Sequence, residues 1–127
     1  MLGADAPTLA EALRCVETGA ALARKGVGVW ECDLADNRLT WSAGVFDIFG
    51  LPRDAQVTRE DAVALYCSDS RDVMERLRAH AIKHQRGFTV DVEICPAVAR
   101  RRWMRLACAP VLDDGGVVRL MGWKKMY

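Results

Sequence analysis

The sequence has almost no net charge, because 18 lysines and arginines face 17 aspartates and glutamates, which leaves +1. Such a balance provides no overall field to attract nucleic acid or an anionic membrane. No apolar run is long enough to span a bilayer, and the N-terminus lacks the basic and apolar segments of a signal peptide. We therefore predict a cytoplasmic protein with neither a nucleic-acid nor a membrane partner.

Paired cysteine motifs are also missing. The cysteines are odd in number, widely spaced and without a C-x-x-C pair: Cys15, Cys32, Cys67, Cys95 and Cys108. This spacing argues against a disulfide framework and against a zinc site built from cysteine pairs. We interpret the cysteines as small core residues of a reduced protein, and we predict no metal site.

Recognisable catalytic motifs are lacking too. The glycines at 26, 28, 115 and 116 are too isolated to form a phosphate loop. Ser42 has no histidine and aspartate companions and is better explained as a helix cap. The basic run at 100–102 has no interleaved aromatic residue, which is typical of a solvated turn. The sequence therefore predicts a protein that is not an enzyme.

What the chain does contain is the hydrophobic patterning of one α+β domain. Its 127 residues are 51% hydrophobic, enough for a core. Thr8 and Glu11 form a capping-box pattern, and the apolar residues that follow predict an amphipathic helix at about 9–25. We assign 1–25 to a leader and this flanking helix, and 26–127 to the domain itself.

Apolar periodicity divides the domain into strands and short helices. The predicted strands are 27–34, 38–41, 88–94, 101–110 and 117–124. The predicted helices are 43–49 with cap Ser42, 59–66 with cap Thr58, and 71–86 with caps Ser68–Ser70 and an end at Gly87. A hairpin turn is predicted at 113–116. Because neighbouring strands can pair as antiparallel hairpins, the helices must cover one face of a five-stranded sheet.

The last hairpin predicts two unlike faces for that sheet. One face suits an interior beneath the helices and carries Met104, Leu106, Cys108, Val118, Leu120 and Gly122. The other carries Trp103, Ala107, Val117, Met121 and Trp123 among arginines. Two tryptophans and a methionine are too apolar for a plain solvent face, so this patch requires a cover. The candidates are the N-terminal helix, a second copy of the chain, or both.

The order of several motifs resembles that of PAS sensor domains. The motifs are GVWECDL at 28–34, RLTWS at 38–42, FDIFGL at 46–51, RWMR at 102–105 and RLMG at 119–122. The resemblance covers about 26–125 and is closest to domains found upstream of bacterial histidine kinases and diguanylate cyclases. Cys67-Ser68 replaces the usual His-Pro, and Met126-Tyr127 replaces the closing Asp-Ile-Thr. The latter leaves a chain cut near its linker or a free-standing protein, and Met1 favours the second.

The resemblance implies the PAS fold and a sensory role in signal transduction, with no catalysis of its own. A small ligand or a protein partner would bind between the sheet and the short helices and shift the arrangement of the sheet and the N-terminal helix. The candidate pocket residues are Trp30, Cys32, Trp41, Phe46, Phe49, Tyr66, Leu77, Phe88, Val90, Met104, Leu106 and Leu120. The alternative is that the same side chains simply fill a closed core.

A second hypothesis is an interaction module that forms a homodimer. Its contact would comprise the flanking helix and the outer sheet face: Leu9, Leu13, Val16, Trp103, Ala107, Val117, Met121 and Trp123. Homodimerisation is also compatible with the sensory role.

No particular cofactor is predicted, and two alternatives are kept. Some PAS domains hold haem through a histidine on the corresponding helix, which makes His80 or His84 an axial-ligand candidate beside the simpler interpretation of partly exposed histidines. Covalent flavin photochemistry requires a cysteine in an Asn-Cys-Arg context, which Cys67 lacks. Non-covalent flavin stacked on tryptophan remains an alternative to tryptophan as core filler.

Overall fold

The computed structural model of the chain describes residues 18–127. Its strands are β1 (Val27–Asp33), β2 (Arg38–Trp41), β3 (Phe88–Ile94), β4 (Arg102–Asp113) and β5 (Gly116–Met126). Its helices are α1 (18–24), α2 (Ala43–Phe49), α3 (Arg59–Ala64) and α4 (Ser68–His84). Across 18–127, no helix combines the length and the apolar character needed to cross a membrane. The predicted caps and contacts of the flanking helix before residue 18, including Leu9, Leu13 and Val16, lie outside the described residues.

The strands form one antiparallel sheet in the order β2-β1-β5-β4-β3. The first strand therefore pairs with the last, and β5 lies at the centre, between β1 and β4. Trp30 and Cys108 both lie opposite Gly122 on β5. This arrangement confirms the predicted α+β class, with a five-stranded antiparallel sheet and accompanying helices.

Local sequence signals explain most element ends. Thr58 accepts the backbone N–H of Asp61 at 3.1 Å, and the Asp61 carboxylate accepts the N–H of Thr58 in return, which confirms the predicted cap of α3. Gly50 ends α2 in the left-handed conformation, with φ 69°. Ser42 does occupy the N-cap position of α2, but its Oγ accepts the N–H of Val29 at 2.9 Å instead of capping the helix. The side chain thus ties α2 to β1.

The bounds predicted for α4 were wrong at both ends. The helix begins at Ser68, with Cys67 at the N-cap position, and ends at His84 with Gln85 in the left-handed conformation. Ser70 Oγ accepts the N–H of Glu93 at 2.8 Å, so it binds β3 and does not cap the helix. Val73 is exposed, although the helical pattern placed it on the apolar side.

Two glycines let α2 lie directly against β1. A Cβ atom on Gly44 would lie 2.0 Å from the carbonyl oxygen of Val27. A Cβ atom on Gly28 would lie 2.4 Å from the backbone nitrogen of Val45. Because the obstructing atoms belong to the backbone, no change of rotamer could make room for a side chain. Glycine at both positions is therefore what permits this close approach.

The core lies between the sheet and the helices that follow β2. Its buried members are Val45, Ile48, Phe49, Tyr66, Met74, Val92, Ile94, Met104 and Leu106. The inward set predicted for the last hairpin is buried at Met104, Leu106, Cys108 and Leu120, whereas Val118, which lies next to the β4–β5 turn, is exposed.

Candidate functional site

A cavity of about 70 Å³ lies between the inner face of the sheet and helices α3 and α4. Its walls combine aromatic and aliphatic side chains with three basic ones. The lining residues are Trp30, Cys32, Leu39, Trp41, Arg59, Ala62, Val63, Tyr66, Met74, Arg78, Phe88, Leu106, Cys108, Leu120 and Lys124. Apolar walls with a few polar groups are typical of small-molecule sites.

Lys124 is the most unusual of these residues. It is only 6% exposed, and its ammonium group donates to the Tyr66 hydroxyl at 3.1 Å. Its Nζ lies 4.6 Å from the centre of the Phe49 ring. The rings of Trp30, Trp41 and Tyr66 follow at 5.5–5.7 Å. An amine is thus enclosed by aromatic faces, which attract a cation but only partly replace water.

Burial controls the titration of this group. Loss of hydration lowers the pKa of Lys124 to about 7, and this effect outweighs the nearby Cys108, which acts in the opposite direction. Burial also raises the pKa of the Cys108 thiol to about 11 and raises the pKa of the Tyr66 hydroxyl. Near neutral pH, Lys124 therefore exchanges between ammonium and amine, while its neighbours Tyr66 and Cys108 stay protonated.

The aromatic wall is built largely by β2 and α2. Trp41 stacks on Phe49 with ring centres 5.2 Å apart and meets Phe46 edge-on at 5.1 Å. Phe49 in turn contacts Tyr66, with centres 5.9 Å apart. These rings continue from the cavity wall into the core, so the wall is supported from behind.

Hydrogen-bond donors outnumber acceptors at the cavity. The indole N–H of Trp30 is buried and has no acceptor within the described part of the chain. Arg78 donates to the side-chain oxygen of Asn37 at 3.2 Å, and Arg59 pairs with Glu75. Among residues 18–127, no aspartate or glutamate belongs to the lining.

The structure brings seven of the twelve predicted pocket residues to this cavity: Trp30, Cys32, Trp41, Tyr66, Phe88, Leu106 and Leu120. The other five do not line it. Phe49 and Met104 are fully buried in the core behind the wall. Val90 packs against that core from β3, Phe46 lies at the edge of Trp41, and Leu77 is half-buried on α4.

Sequence reasoning missed the basic residues Arg59, Arg78 and Lys124. A signal was present for Lys124, because Leu120, Gly122 and Lys124 share one face of β5 by simple alternation. Because a lysine is rarely buried, Lys124 was not counted among the inward-facing residues of this strand. No comparable signal existed for Arg59 and Arg78, whose long side chains are half-buried.

The outer face of the sheet carries the predicted apolar patch. Trp103, Met121 and Trp123 are 50%, 41% and 38% exposed, and Val29 on β1 adds to them at 46%. The two smaller predicted members, Ala107 and Val117, are half-buried. We call the four exposed residues the outer patch.

The histidines do not form a haem site with this cavity. His80 and His84 are both exposed on α4, their ring centres are 4.4 Å apart, and neither lines the cavity. Within 18–127, no group of three or more histidine, cysteine, aspartate or glutamate side chains is arranged to hold a metal ion. Axial ligation by either histidine therefore does not fit this structure.

A flavin ring system would need a larger cavity than this one. An engineered cavity that accepts benzene measures about 150 Å³, roughly twice the 70 Å³ found here. Cys67, the residue nearest to a photochemical cysteine in the sequence, lies beside Cys95 with 2.7 Å between the sulfur atoms. Burial raises the pKa of Cys67 to about 11, which keeps it a thiol near neutral pH.

The interpretation of the cysteines as small core residues holds for most of those that the structure describes. Cys32, Cys67 and Cys108 are buried, while Cys95 is half-buried. Cys15 lies outside the described residues.

No protein-family model and no curated protein matches the sequence. The fold, in contrast, is similar to many solved structures. A diguanylate cyclase N-terminal domain with a PAS/PAC sensor, from Marinobacter aquaeolei, has a TM-score of 0.71 at 15% identity, over 79% of this chain and 94% of that one. A sensory box histidine kinase/response regulator from Burkholderia thailandensis has a TM-score of 0.71 at 15% identity, over 87% and 83%.

An RNA-binding light-oxygen-voltage receptor has a TM-score of 0.70 at 17% identity. The match covers 79% of this chain but only 29% of the receptor, so this chain corresponds to a small part of that protein. At these identities the likeness establishes the fold. The chain has the PAS fold, as its sequence motifs indicated.

Proposed function

We propose that this chain is a cytoplasmic sensory domain that binds a small ligand between its sheet and helices α3 and α4, and relays a conformational signal without catalysis of its own. The cavity carries this proposal. Its aromatic walls enclose a polar group, Lys124, that is costly to bury without a full set of partners. A filled core with no ligand would be expected to place an apolar residue there.

The solved structures of similar fold support a sensory role, since their names include a diguanylate cyclase sensor and a sensory histidine kinase. The signal would be a population shift, in which the ligand favours one arrangement of the sheet and the flanking helix. An output partner would then be a signalling protein or an effector domain of the same pathway.

Native mass spectrometry of freshly purified protein tests the proposal most directly. A retained small molecule, displaced on denaturation, is the expected result. A bare protein mass, together with an unchanged melting temperature in a panel of small metabolites, would contradict ligand sensing. Trp123→Ala, which removes an aromatic ring from the other face of the same sheet, serves as a control and should still retain the small molecule.

The second candidate function is homodimerisation, and it is favoured by the outer patch. Two tryptophans, a methionine and a valine exposed on one sheet face form the kind of surface that commonly contacts another protein. Light scattering after size exclusion should give twice the chain mass, and Trp103→Ser together with Trp123→Ser should give the monomer. Deletion of 1–25 separates the two predicted parts of the contact: an unchanged dimer would show that the flanking helix does not hold it together.

A further inference from the structure

Lys124 is a buried cation beside which the described part of the chain places no anion. Its ammonium group has three N–H donors, and residues 18–127 offer it one acceptor, the Tyr66 hydroxyl at 3.1 Å. No carboxylate of the described residues lies within ion-pair distance of it. The aromatic faces around it attract positive charge but accept no conventional hydrogen bond.

The wider surroundings, as far as the structure describes the chain, add positive charge to the lining and no carboxylate. The titratable and charged groups that face the cavity from each packed element are Cys32 on β1, Arg59 on α3, Tyr66 before α4, Arg78 on α4 and Cys108 on β4. Glu75 lies behind Arg59 and is already paired with it. Burial raises the pKa of the Cys108 thiol and of the Tyr66 hydroxyl, which keeps both groups neutral, so the described lining has a surplus of cationic groups.

The size of the cavity limits what could balance that charge. At about 70 Å³ it has about half the volume of an engineered site that takes benzene. It therefore accepts a molecule of about three to five non-hydrogen atoms. The unpartnered indole N–H of Trp30, also on the lining, calls for an acceptor rather than for a donor.

We propose that the ligand sensed by this domain is a small monocarboxylate, whose oxygens accept from the Lys124 ammonium and whose short apolar part lies against the aromatic wall. This inference rests on the proposed ligand-sensing function and specifies its ligand class. A carboxylate supplies both the missing negative charge and several acceptor sites, which a neutral molecule of equal size does not. Its apolar tail suits the aliphatic and aromatic walls.

A consequence is that binding takes up a proton above neutral pH. Without ligand, burial holds the pKa of Lys124 near 7. A carboxylate beside the ammonium favours the charged form and raises this pKa. Binding is then strongest below pH 7 and weakens as pH rises, because the amine must be protonated each time.

Calorimetric titration with acetate and propionate tests the proposal, with acetamide and propionamide as uncharged ligands of matched size. Sodium chloride keeps the ionic strength constant. We expect the carboxylates to bind at least tenfold more tightly than the amides at pH 6. We also expect their affinity to fall about thirtyfold between pH 6 and pH 8.5. Equal affinity for acids and amides, or an affinity that does not change with pH, would overturn the inference.

Variants locate the site. Lys124→Met should weaken propionate binding at least tenfold, whereas Lys125→Met, which changes the exposed neighbour, should leave it unchanged. Lys124→Gln provides a second variant that keeps polarity, and melting curves confirm that each variant is folded. Propionate binding that survives in both Lys124 variants would overturn the assignment.

Two outcomes separate this inference from the proposed function. A retained neutral molecule in the native mass spectrum would preserve ligand sensing and overturn the carboxylate. An aldehyde that forms an imine with the Lys124 amine, and is fixed there by borohydride reduction, would do the same. Failure of carboxylates, amides and aldehydes alike to bind or to change the melting temperature would overturn both.

Discussion

The two faces of the sheet carry the same residue types in different environments. On the inner face, Lys124 and Trp30 are enclosed with Tyr66 around one cavity. On the outer face, Lys125 and Trp123 are exposed to the surroundings. Lys124 and Lys125 are neighbours on one strand, so alternation alone separates a buried amine from an exposed one.

The comparison shows that residue type alone does not identify a site in this fold. Aromatic side chains on the inner face bury a polar group and shape a small cavity. On the outer face they form an apolar surface with an exposed network, in which Arg105 pairs with Asp91 at 2.9 Å and also donates to the Tyr127 hydroxyl at 2.9 Å. Matched substitutions on the two faces measure how different these environments are.

The largest difference is expected for loss of an aromatic ring. Phe49→Ala should lower the free energy of unfolding by about 3–5 kcal/mol, because the ring is fully buried between Trp41 and Tyr66. Trp123→Ala, on the outer face, should lower it by less than about 1 kcal/mol. Urea denaturation measures both, and equal losses would show that the faces do not differ in this way.

The second largest difference in stability is expected between substitutions of Lys124 and of Lys125, and it should depend on pH. The depressed pKa of Lys124 means that the unfolded chain binds more protons than the folded chain above pH 7. The stability of the wild-type protein should therefore rise between pH 7 and about 8.5, by about 1.4 kcal/mol per pH unit. Above that window, Cys67 and Cys108 act in the opposite sense, because burial raises the pKa of each to about 11.

Lys124→Met makes this effect visible. Without carboxylate in the buffer, the variant should be more stable than wild type at pH 7 by about 2 kcal/mol, since a buried amine is replaced by an apolar chain. The gap should shrink towards pH 8.5. Lys125→Met should differ from wild type by no more than about 0.5 kcal/mol at either pH. A Lys124→Met gap that stays constant with pH would contradict the assigned titration.

A smaller effect on stability, but a clear one on assembly, is expected on the outer face. Trp103→Ser combined with Trp123→Ser should weaken the dimer at least tenfold and should leave the cavity's ligand affinity unchanged. Analytical ultracentrifugation at several concentrations measures the dimer. A monomeric wild-type protein would remove the outer patch from consideration as a self-contact.

The smallest effect is expected for the exposed ion pair. Arg105 holds the pKa of Asp91 below its usual range, yet both side chains are well exposed to solvent. Asp91→Asn should leave the urea midpoint unchanged within error, because water and salt screen such pairs. A midpoint that falls clearly at low salt would show that the network with Tyr127 contributes more than a surface pair.

Most of the fold was accessible from local patterns. The bounds of β2, β3 and α2 were predicted to the residue, since alternating apolar residues, Ser42 and Gly50 mark them unambiguously. The start of α4 was not, because Ser70 had the type of a cap while its hydroxyl bonds the N–H of Glu93 across the fold. A cap and a tertiary hydrogen bond require the same side chain, and spacing does not distinguish them.

The site was accessible only in part. Aromatic residues of the lining followed from the inward alternation of β1 and β2, together with the motif resemblance. Lys124, Arg59 and Arg78 did not, because their burial depends on what the long side chains meet after folding. Strand order placed β5 between β1 and β4, which carried Lys124 into the centre of the sheet.

The glycine contact between α2 and β1 makes one wall of the cavity more rigid than the opposite wall. Where Gly28 and Gly44 meet, backbone lies against backbone, and no side chain is available to readjust. The wall that includes Trp30 and Trp41 is thus anchored to a fixed support, whereas α3 and α4 line the cavity with longer side chains such as Arg59, Met74 and Arg78. If the cavity enlarges for a ligand, the displacement belongs to the α3–α4 side, and distance labels placed on α4 and on β1 would record it.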